Sequence, residues 1–226
     1  MGYIIIVGIF SLIGGLVSRR LKSKFAQYSK LPLSNGRSGA EVAKAMLEHY
    51  GIYDVQIVQG QGMLTDHYNP ATKTVNLSPD VYHGRHVAAA AVASHECGHA
   101  VQHNTAYAWL KMRSAMVPAV SLAAKAQQYL FMFGLGLMGL GGGSFLLYLT
   151  IAAFGMTMLF SLVTLPVEFD ASRRALAWLE ETNFTRGREH EGAKDALTWA
   201  ALTYVVAALS SLVVLIYLLL SLAGRD

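Results

Sequence analysis

The sequence predicts a mainly α-helical membrane protein, with about four transmembrane helices and a small α+β domain on the cytoplasmic side. Hydrophobic residues make up 54% of the chain and charged residues only 14%, whereas about a quarter of the residues are charged in an ordinary soluble domain. Long uncharged segments alternate with segments rich in lysine and arginine. Together these observations predict helices that cross a lipid bilayer and a domain outside it.

Uncharged segments give the expected transmembrane helices. Residues 2–18 reach the lower limit of about 17 residues for a span, and the basic residues follow this segment rather than precede it, which favours a retained anchor over a cleaved signal peptide. Residues 129–167 contain no charged residue, which predicts a helical hairpin over residues 116–167. The small residues Gly141, Gly142, Gly143 and Ser144 are compatible either with the turn of this hairpin or with close helix packing. Residues 196–224 form the last expected span.

Lysine and arginine set the expected orientation, because cytoplasmic segments that flank spans carry an excess of these residues. They fall after the first span, before the hairpin and between the hairpin and the last span, at Arg19, Arg20, Lys22, Lys24, Lys111, Arg113, Arg173, Arg174, Arg186, Arg188 and Lys194. We therefore expect external termini, and we expect residues 19–115 and 168–195 to be cytoplasmic. An even number of spans separates these two segments, so both can contribute to one site.

The cytoplasmic domain is expected to combine helices with a small sheet. Ser38 and Glu41 precede apolar residues at helical spacing and predict a helix that begins with a capping box. Short apolar runs between Val55 and Leu77 are separated by turn residues, which predicts two or three strands. These strands lead directly into the next helix.

That helix carries His95-Glu96-Cys97-Gly98-His99, an H-E-x-x-H pattern. The alanine-rich segment before it favours a helix, and Asn104 offers an end. Two histidines four residues apart lie on one helix face and can bind one Zn²⁺. The Glu96 carboxylate then lies beside the metal, where it can take a proton from the attacking water and pass it to a departing amine. The pattern therefore predicts peptide-bond hydrolysis.

A catalytic zinc site needs a third protein ligand and an open fourth position. His103 lies about 12 Å along the helix from His95 and is too far away, so we expect a helix-end or outer role for it. The metzincin pattern is excluded because Gln102 and Thr105 stand where Gly and His are required. The best remaining candidates are two acids that follow the hairpin at the start of a predicted helix, and we choose Glu168 over Asp170.

The chain resembles zinc metalloproteases in which a downstream helix carries Glu-x-x-Ala-Asp, as in the HtpX and CAAX prenyl protease families. It is most similar to the bacterial YugP-type neutral zinc membrane metallopeptidases. The resemblance runs through 64–70, 76–78, 95–102 and 166–175. It implies a zincin-like domain and makes Glu168 the third zinc ligand. In the HtpX-like pattern an Asp that orients a zinc histidine stands where this chain has Ser172. Asp170 could serve instead, or it is a solvated acid near a helix N-terminus, the reading we favour.

For several other residues the sequence is compatible with two roles. An edge strand over residues 63–68 or 73–78 could hold a substrate in extended form, or the sheet could only support the helix. Asp66 and His67 could reach a substrate, although a solvated pair is the commoner arrangement. His190 could stabilise the developing oxyanion. Cys97 is rotated about 200° from His95 and is expected to pack rather than bind metal.

The sequence thus predicts a membrane-embedded zinc endopeptidase of the plasma membrane, in which His95, His99 and Glu168 hold the metal and Glu96 is the general base. Its expected partners are a peptide or protein substrate, misfolded or membrane-bound, and the lipid bilayer. A homo-oligomer is left open. Basic stretches interleaved with aromatic residues, typical of nucleic-acid binding, are missing from the sequence. A zinc-containing scaffold that does not cut is one alternative, and an intramembrane site-2-type protease is another.

Overall fold

The computed structural model describes residues 2–137 and 143–223, which are mainly helical. In chain order the elements are α1 (Gly2–Tyr28), α2 (Gly39–His49), β1 (Gln56–Gln59), β2 (His67–Asn69), β3 (Thr74–Leu77), α3 (Pro79–Tyr82), α4 (Val87–Asn104), α5 (Ala108–Leu137), α6 (Gly143–Glu181) and α7 (Arg188–Ala223). The predicted mainly helical class with a small sheet is confirmed.

The chain divides into two compact units. The first contains residues 17–110 and 166–202, and the second contains the described parts of residues 1–16, 111–165 and 203–226. The helix with the H-E-x-x-H pattern and the downstream acids both belong to the first unit. We call it the site unit, and we call the other the apolar unit.

The helices α1, α6 from Phe145 and α7 are long and apolar enough to cross a membrane, which makes three such helices in the described part of the chain. Large apolar side chains on them are exposed, as lipid contact requires. The sequence predicts four spans, and α5 is the helix that does not qualify; Lys125 and Gln127 interrupt its apolar sequence. Gln127 Nε2 donates to Thr157 Oγ1 on α6 at 3.0 Å. Of the turn predicted at residues 141–144, Gly141 and Gly142 lie outside the described residues, and Gly143 and Ser144 belong to the first turn of α6.

Helix α6 differs from expectation because it is continuous where the sequence predicts a boundary. We expected the hairpin to end at residue 167 and a new helix to begin there, but α6 runs from Gly143 to Glu181 with Pro166 inside it. A proline removes one main-chain donor, and here it does not end the helix. Glu168 and Asp170 therefore lie in a helix interior rather than near an N-terminus.

The sheet of the site unit is small and mixed. Its strand order is β1-β3-β2, with β1 parallel and β2 antiparallel to β3. Strand β2 thus lies at an edge and β3 in the centre, so the alternative that placed the edge at residues 73–78 is wrong. The predicted capping box of α2 is confirmed, because Ser38 and Glu41 each accept a hydrogen bond from the main-chain N–H of the other.

Helix α4 forms the centre of the core of the site unit. Small alanine side chains line it and are almost completely buried against α2, β3 and the start of α7. Trp178 and Leu179 of α6 belong to the same core. Since apolar surface surrounds α4, its position is fixed by packing along most of its length. A site built on such a helix is held rigidly.

Candidate metal centre

Helix α4 contains the alanine-rich segment and ends at Asn104, as the sequence predicts. His86 is the N-cap, and its Nδ1 accepts a hydrogen bond from the Ala89 N–H at 3.1 Å. The helix ends at Asn104, and the main-chain N–H of Thr105 closes the last turn on Val101. His95 and His99 are in the middle of this helix, one turn apart, so that their rings leave the same face.

His95, His99 and Glu168 form one group whose ligand atoms all lie within 4.8 Å of one another. His95 Nε2 is 3.3 Å and His99 Nε2 is 3.6 Å from Glu168 Oε2. Glu168 is only 2% exposed and His99 7% exposed. Two segments that are distant in sequence therefore bring three side chains that could hold a metal ion to one buried point.

The spacing and the charge of this group fit a zinc ion. Ligand atoms bound tetrahedrally to one zinc at its usual bond lengths are separated by roughly 3.3 Å, close to the two distances that involve Glu168. Burial opposes protonation of His99, but the hydrogen bond and charge of Glu168 outweigh it and raise the pKa of the imidazole. The negative charge of Glu168, which favours a proton on His99, also favours a cation between the same ligand atoms.

Close contact between α4 and α6 sets the distance from the histidines to Glu168. A Cβ atom on Gly98 would lie 2.5 Å from the main-chain oxygen of Ala171 and 3.1 Å from its carbonyl carbon. Only a residue without a side chain permits this approach. Ala171 is three residues after Glu168, so the contact lies next to the third member of the group.

The outer nitrogens of both histidines have partners. His95 Nδ1 lies 3.1 Å from Ser172 Oγ, and His99 Nδ1 lies 3.0 Å from Gln102 Oε1. The Gln102 Nε2 group in turn donates to Asp170 Oδ2 at 2.9 Å. The expectation that Asp170 is a solvated acid is wrong: it is 4% exposed, because α6 is packed against α4 at this level.

Glu96 lies where the group meets the edge of the sheet. Its Oε2 accepts a hydrogen bond from the Tyr68 main-chain N–H of β2 at 3.0 Å, and the residue is 8% exposed. The Tyr68 hydroxyl lies 2.7 Å from His103 Nδ1, and burial raises the pKa of Tyr68 to about 12, with a contribution from the charge of Asp54. His103 is thus a helix-end residue that anchors the edge strand, in agreement with the sequence-based prediction.

Other residues singled out in the sequence are not part of the metal-binding group. Asp66 accepts from the Ser78 N–H and hydroxyl at 2.7 and 3.0 Å and ties the loop before β2 to the sheet, while burial raises its pKa against these hydrogen bonds. His67 is exposed and bonds to the Thr65 carbonyl. Cys97 packs against α2 with its Sγ 3.5 Å from the Ala43 carbonyl oxygen, and burial raises the pKa of its thiol.

His190 is also remote from the group. It lies beside Thr185 and Glu180, with His190 Nε2 3.8 Å from Glu180 Oε2. Glu180 follows Glu168 by about 18 Å along α6. The suggestion that His190 stabilises the oxyanion is therefore wrong.

Two residues with contacts at the site were not given roles on sequence grounds: Gln102, beside His99, and Tyr68, beside Glu96. Ser172 stands where the resemblance places an Asp that orients a zinc histidine, and its hydroxyl does lie beside His95 Nδ1. Gln102 follows His99 by three residues and so lies on the same helix face, which is a local signal for a partner of that histidine. The contact of Ser172 with His95 and that of Tyr68 with Glu96 depend on segments far apart in sequence. Helical or strand periodicity carries no information about them.

Comparison with known proteins agrees with this geometry. The sequence pattern of a family described as "Putative neutral zinc metallopeptidase" matches residues 3–223. The chain is 44% identical over 208 residues to "Putative membrane protease YugP" of Bacillus subtilis (strain 168), which covers 92% of this chain and 91% of the relative. No solved structure matches the chain significantly. The family implies zinc, and the three apolar helices fit the membrane location in the relative's name. The chain therefore belongs to the YugP-type neutral zinc metallopeptidase family.

Proposed function

We propose that this protein is a membrane-embedded zinc endopeptidase of the gluzincin type, in which His95, His99 and Glu168 hold the metal and Glu96 is the general base. The observation that carries this proposal is the convergence of three buried ligand atoms within 4.8 Å of one another. Three ligands leave one position open, as in catalytic rather than structural zinc sites. The H-E-x-x-H helix supplies the base beside it.

The bound metal and the nearby side chains have different parts in the proposed reaction. When bound, zinc polarises the scissile carbonyl and lowers the pKa of a water molecule to about 7. The Glu96 carboxylate takes the proton of the attacking water and gives it to the departing amine, so that the peptide C–N bond breaks and a carboxylate and an amine result. The Tyr68 N–H holds Glu96 by one oxygen and leaves the other for the proton.

The edge strand gives the substrate a place to bind. Strand β2 pairs with β3 on one side only, and an extended peptide can add to such an edge through main-chain hydrogen bonds. The direct contact between Tyr68 and Glu96 means that this edge runs beside the general base. Binding through main-chain atoms suits a peptidase that accepts varied, misfolded or membrane-bound substrates.

The membrane arrangement that we propose has four spans. The divisions between the two units fall near residues 17, 111, 166 and 203, close to the limits of the expected segments 19–115, 116–167, 168–195 and 196–224. In this arrangement α5 is the fourth span and both termini lie outside the plasma membrane. The site unit is a zincin-like domain that faces the cytoplasm. The distribution of lysine and arginine supports this orientation.

Cleavage of casein by the detergent-purified protein tests the proposed function. We expect chelator treatment to abolish cleavage and one equivalent of Zn²⁺ per chain to restore it, because the metal supplies the open coordination position. Stoichiometric zinc without cleavage of casein or of unfolded membrane proteins would favour the zinc-containing scaffold. A chain that binds no zinc would overturn the proposal.

The substitution Gly98→Ala is expected to weaken zinc binding by at least about 10-fold. The added Cβ would overlap the Ala171 carbonyl, and overpacking between two helices costs typically about 1–3 kcal/mol because main-chain atoms must shift. A shift of α6 moves Glu168 away from the histidines. Competition with a chromophoric chelator measures the affinity.

The matched control is Gly155→Ala, which changes a helical glycine of α6 with no atom within 4 Å of the new Cβ. We expect it to keep the zinc affinity of the unmodified protein. Equal affinity for Gly98→Ala and the unmodified protein would contradict the role of this helix contact.

A further inference from the structure

We propose that Gln102 is a positioning residue that holds His99 in the tautomer able to bind zinc and also fixes the main chain beside Glu168. This inference rests on the proposed function, because it takes His99 and Glu168 to be zinc ligands. The buried side-chain amide of Gln102 thereby aligns two of the three proposed ligands.

The location of Gln102 indicates a specific role. It is 0% exposed, although glutamine is a residue usually found at the surface. Burying an amide without partners costs about 1–3 kcal/mol in proteins. A long polar side chain inside the helix contact is therefore tolerated because its hydrogen bonds are made there.

The partners of the amide fix its orientation. The Nε2 group faces two acceptors, the Val167 carbonyl oxygen at 2.8 Å and Asp170 Oδ2 at 2.9 Å. A flipped amide would set its oxygen against both of these oxygens. The Oε1 atom must then face His99 Nδ1, at 3.0 Å. Because Oε1 can only accept, the proton of His99 is on Nδ1 and the lone pair of Nε2 is free for the metal.

Asp170 keeps the amide in this orientation. Its Oδ2 atom accepts from Gln102 and also from Arg174 Nε at 2.5 Å, and its Oδ1 atom accepts from Arg173. Two guanidinium groups thus balance the charge of the buried carboxylate. The order His99, Gln102, Asp170, Arg174 is a chain of hydrogen bonds that runs from the metal group to the surface of α6.

The second contact of Gln102 acts on the third ligand. Val167 directly precedes Glu168, so the bond from Gln102 Nε2 to the Val167 carbonyl fixes the main chain of α6 next to that carboxylate. The close contact of Gly98 with Ala171 lies one turn farther along the same helix. Loss of the amide would free both the ring of His99 and the register of α6 at Glu168.

His95 is held in a different way. Its Nδ1 faces the hydroxyl of Ser172, and a hydroxyl can either donate or accept, so it does not select one tautomer. The structure therefore assigns the control of tautomer to His99 and its amide. Outer partners of metal-bound histidines typically contribute about 10- to 100-fold to metal affinity.

The test is the zinc affinity of Gln102→Ala, measured by chelator competition on the full-length protein in detergent. We expect an affinity about 10- to 100-fold lower and a changed visible spectrum of the Co²⁺-substituted protein, which reports ligand geometry. Thermal unfolding of the metal-free protein checks that the variant is folded. The matched control is Gln127→Ala, which removes an interhelical amide hydrogen bond of the apolar unit and should leave zinc affinity unchanged.

A pair of variants at Asp170 separates positioning from general packing. Asp170→Asn keeps an oxygen acceptor for Gln102 and should retain most of the zinc affinity, whereas Asp170→Ala should lower it. Normal zinc affinity and an unchanged Co²⁺ spectrum in Gln102→Ala would overturn the inference, as would equal losses in Gln102→Ala and Gln127→Ala. Failure of the unmodified protein to bind zinc would instead overturn the proposed function.

Discussion

Replacement of Glu96 by glutamine is expected to lower casein cleavage by at least about 100-fold while zinc stays bound. General acid–base catalysis by a positioned side chain typically contributes about 10²- to 10⁴-fold. Glutamine has the shape of glutamate, and its Oε1 can still accept the Tyr68 N–H bond that holds Glu96. The variant therefore loses the ability to take up a proton and keeps its position.

Initial cleavage rates at equal zinc content measure this effect. Glu48→Gln is the control, because Glu48 is an exposed acid of α2 paired only loosely with Lys44 at 3.9 Å. We expect this control to cleave casein at the normal rate. If Glu96→Gln keeps more than a tenth of the activity at full zinc occupancy, Glu96 is not the general base.

The second large effect is expected for Glu168→Ala, which should lower zinc affinity by at least about 100-fold. Outer partners of zinc histidines already contribute about 10- to 100-fold, and a direct ligand contributes at least as much. The Glu168 carboxylate is buried between His95 and His99. Without it the proposed site would keep two ligands, too few for a catalytic zinc site.

Metal analysis after dialysis against a weak chelator measures the loss, and circular dichroism checks that helix content is kept. Glu180→Ala changes the same residue type on the same helix, where the side chain is exposed, and should retain zinc. Stoichiometric zinc in Glu168→Ala would exclude Glu168 as the third ligand and reopen the choice among the acids of α6.

Local sequence patterns predict much of the site unit. The alanine-rich segment predicts α4 and Asn104 predicts its end, and the pair Ser38 and Glu41 predicts the start of α2. These features depend on residues a few positions apart. The position of Glu168 after the predicted hairpin, together with the family resemblance, predicts that this acid joins the two histidines.

The features that the sequence does not predict depend on contacts between segments far apart in sequence. The burial of Asp170 follows from the approach of α6 to α4 at Gly98, about 70 positions away in the chain. The continuity of α6 through Pro166 is likewise a tertiary effect, since proline usually ends or kinks a helix. The central position of β3 follows from its parallel pairing with β1, which alternation of apolar residues does not specify.

Zinc K-edge X-ray absorption of the zinc-loaded protein tests the central claim most directly, because it reports the atoms that bind the metal. The proposed site predicts only nitrogen and oxygen neighbours at about 2.0–2.2 Å, with the outer scattering of two imidazole rings. For Glu168→Ala, which should bind zinc weakly, we expect this set of neighbours to be absent from the spectrum. A sulfur neighbour at about 2.3 Å, or a single imidazole, would contradict a site made of His95, His99 and Glu168.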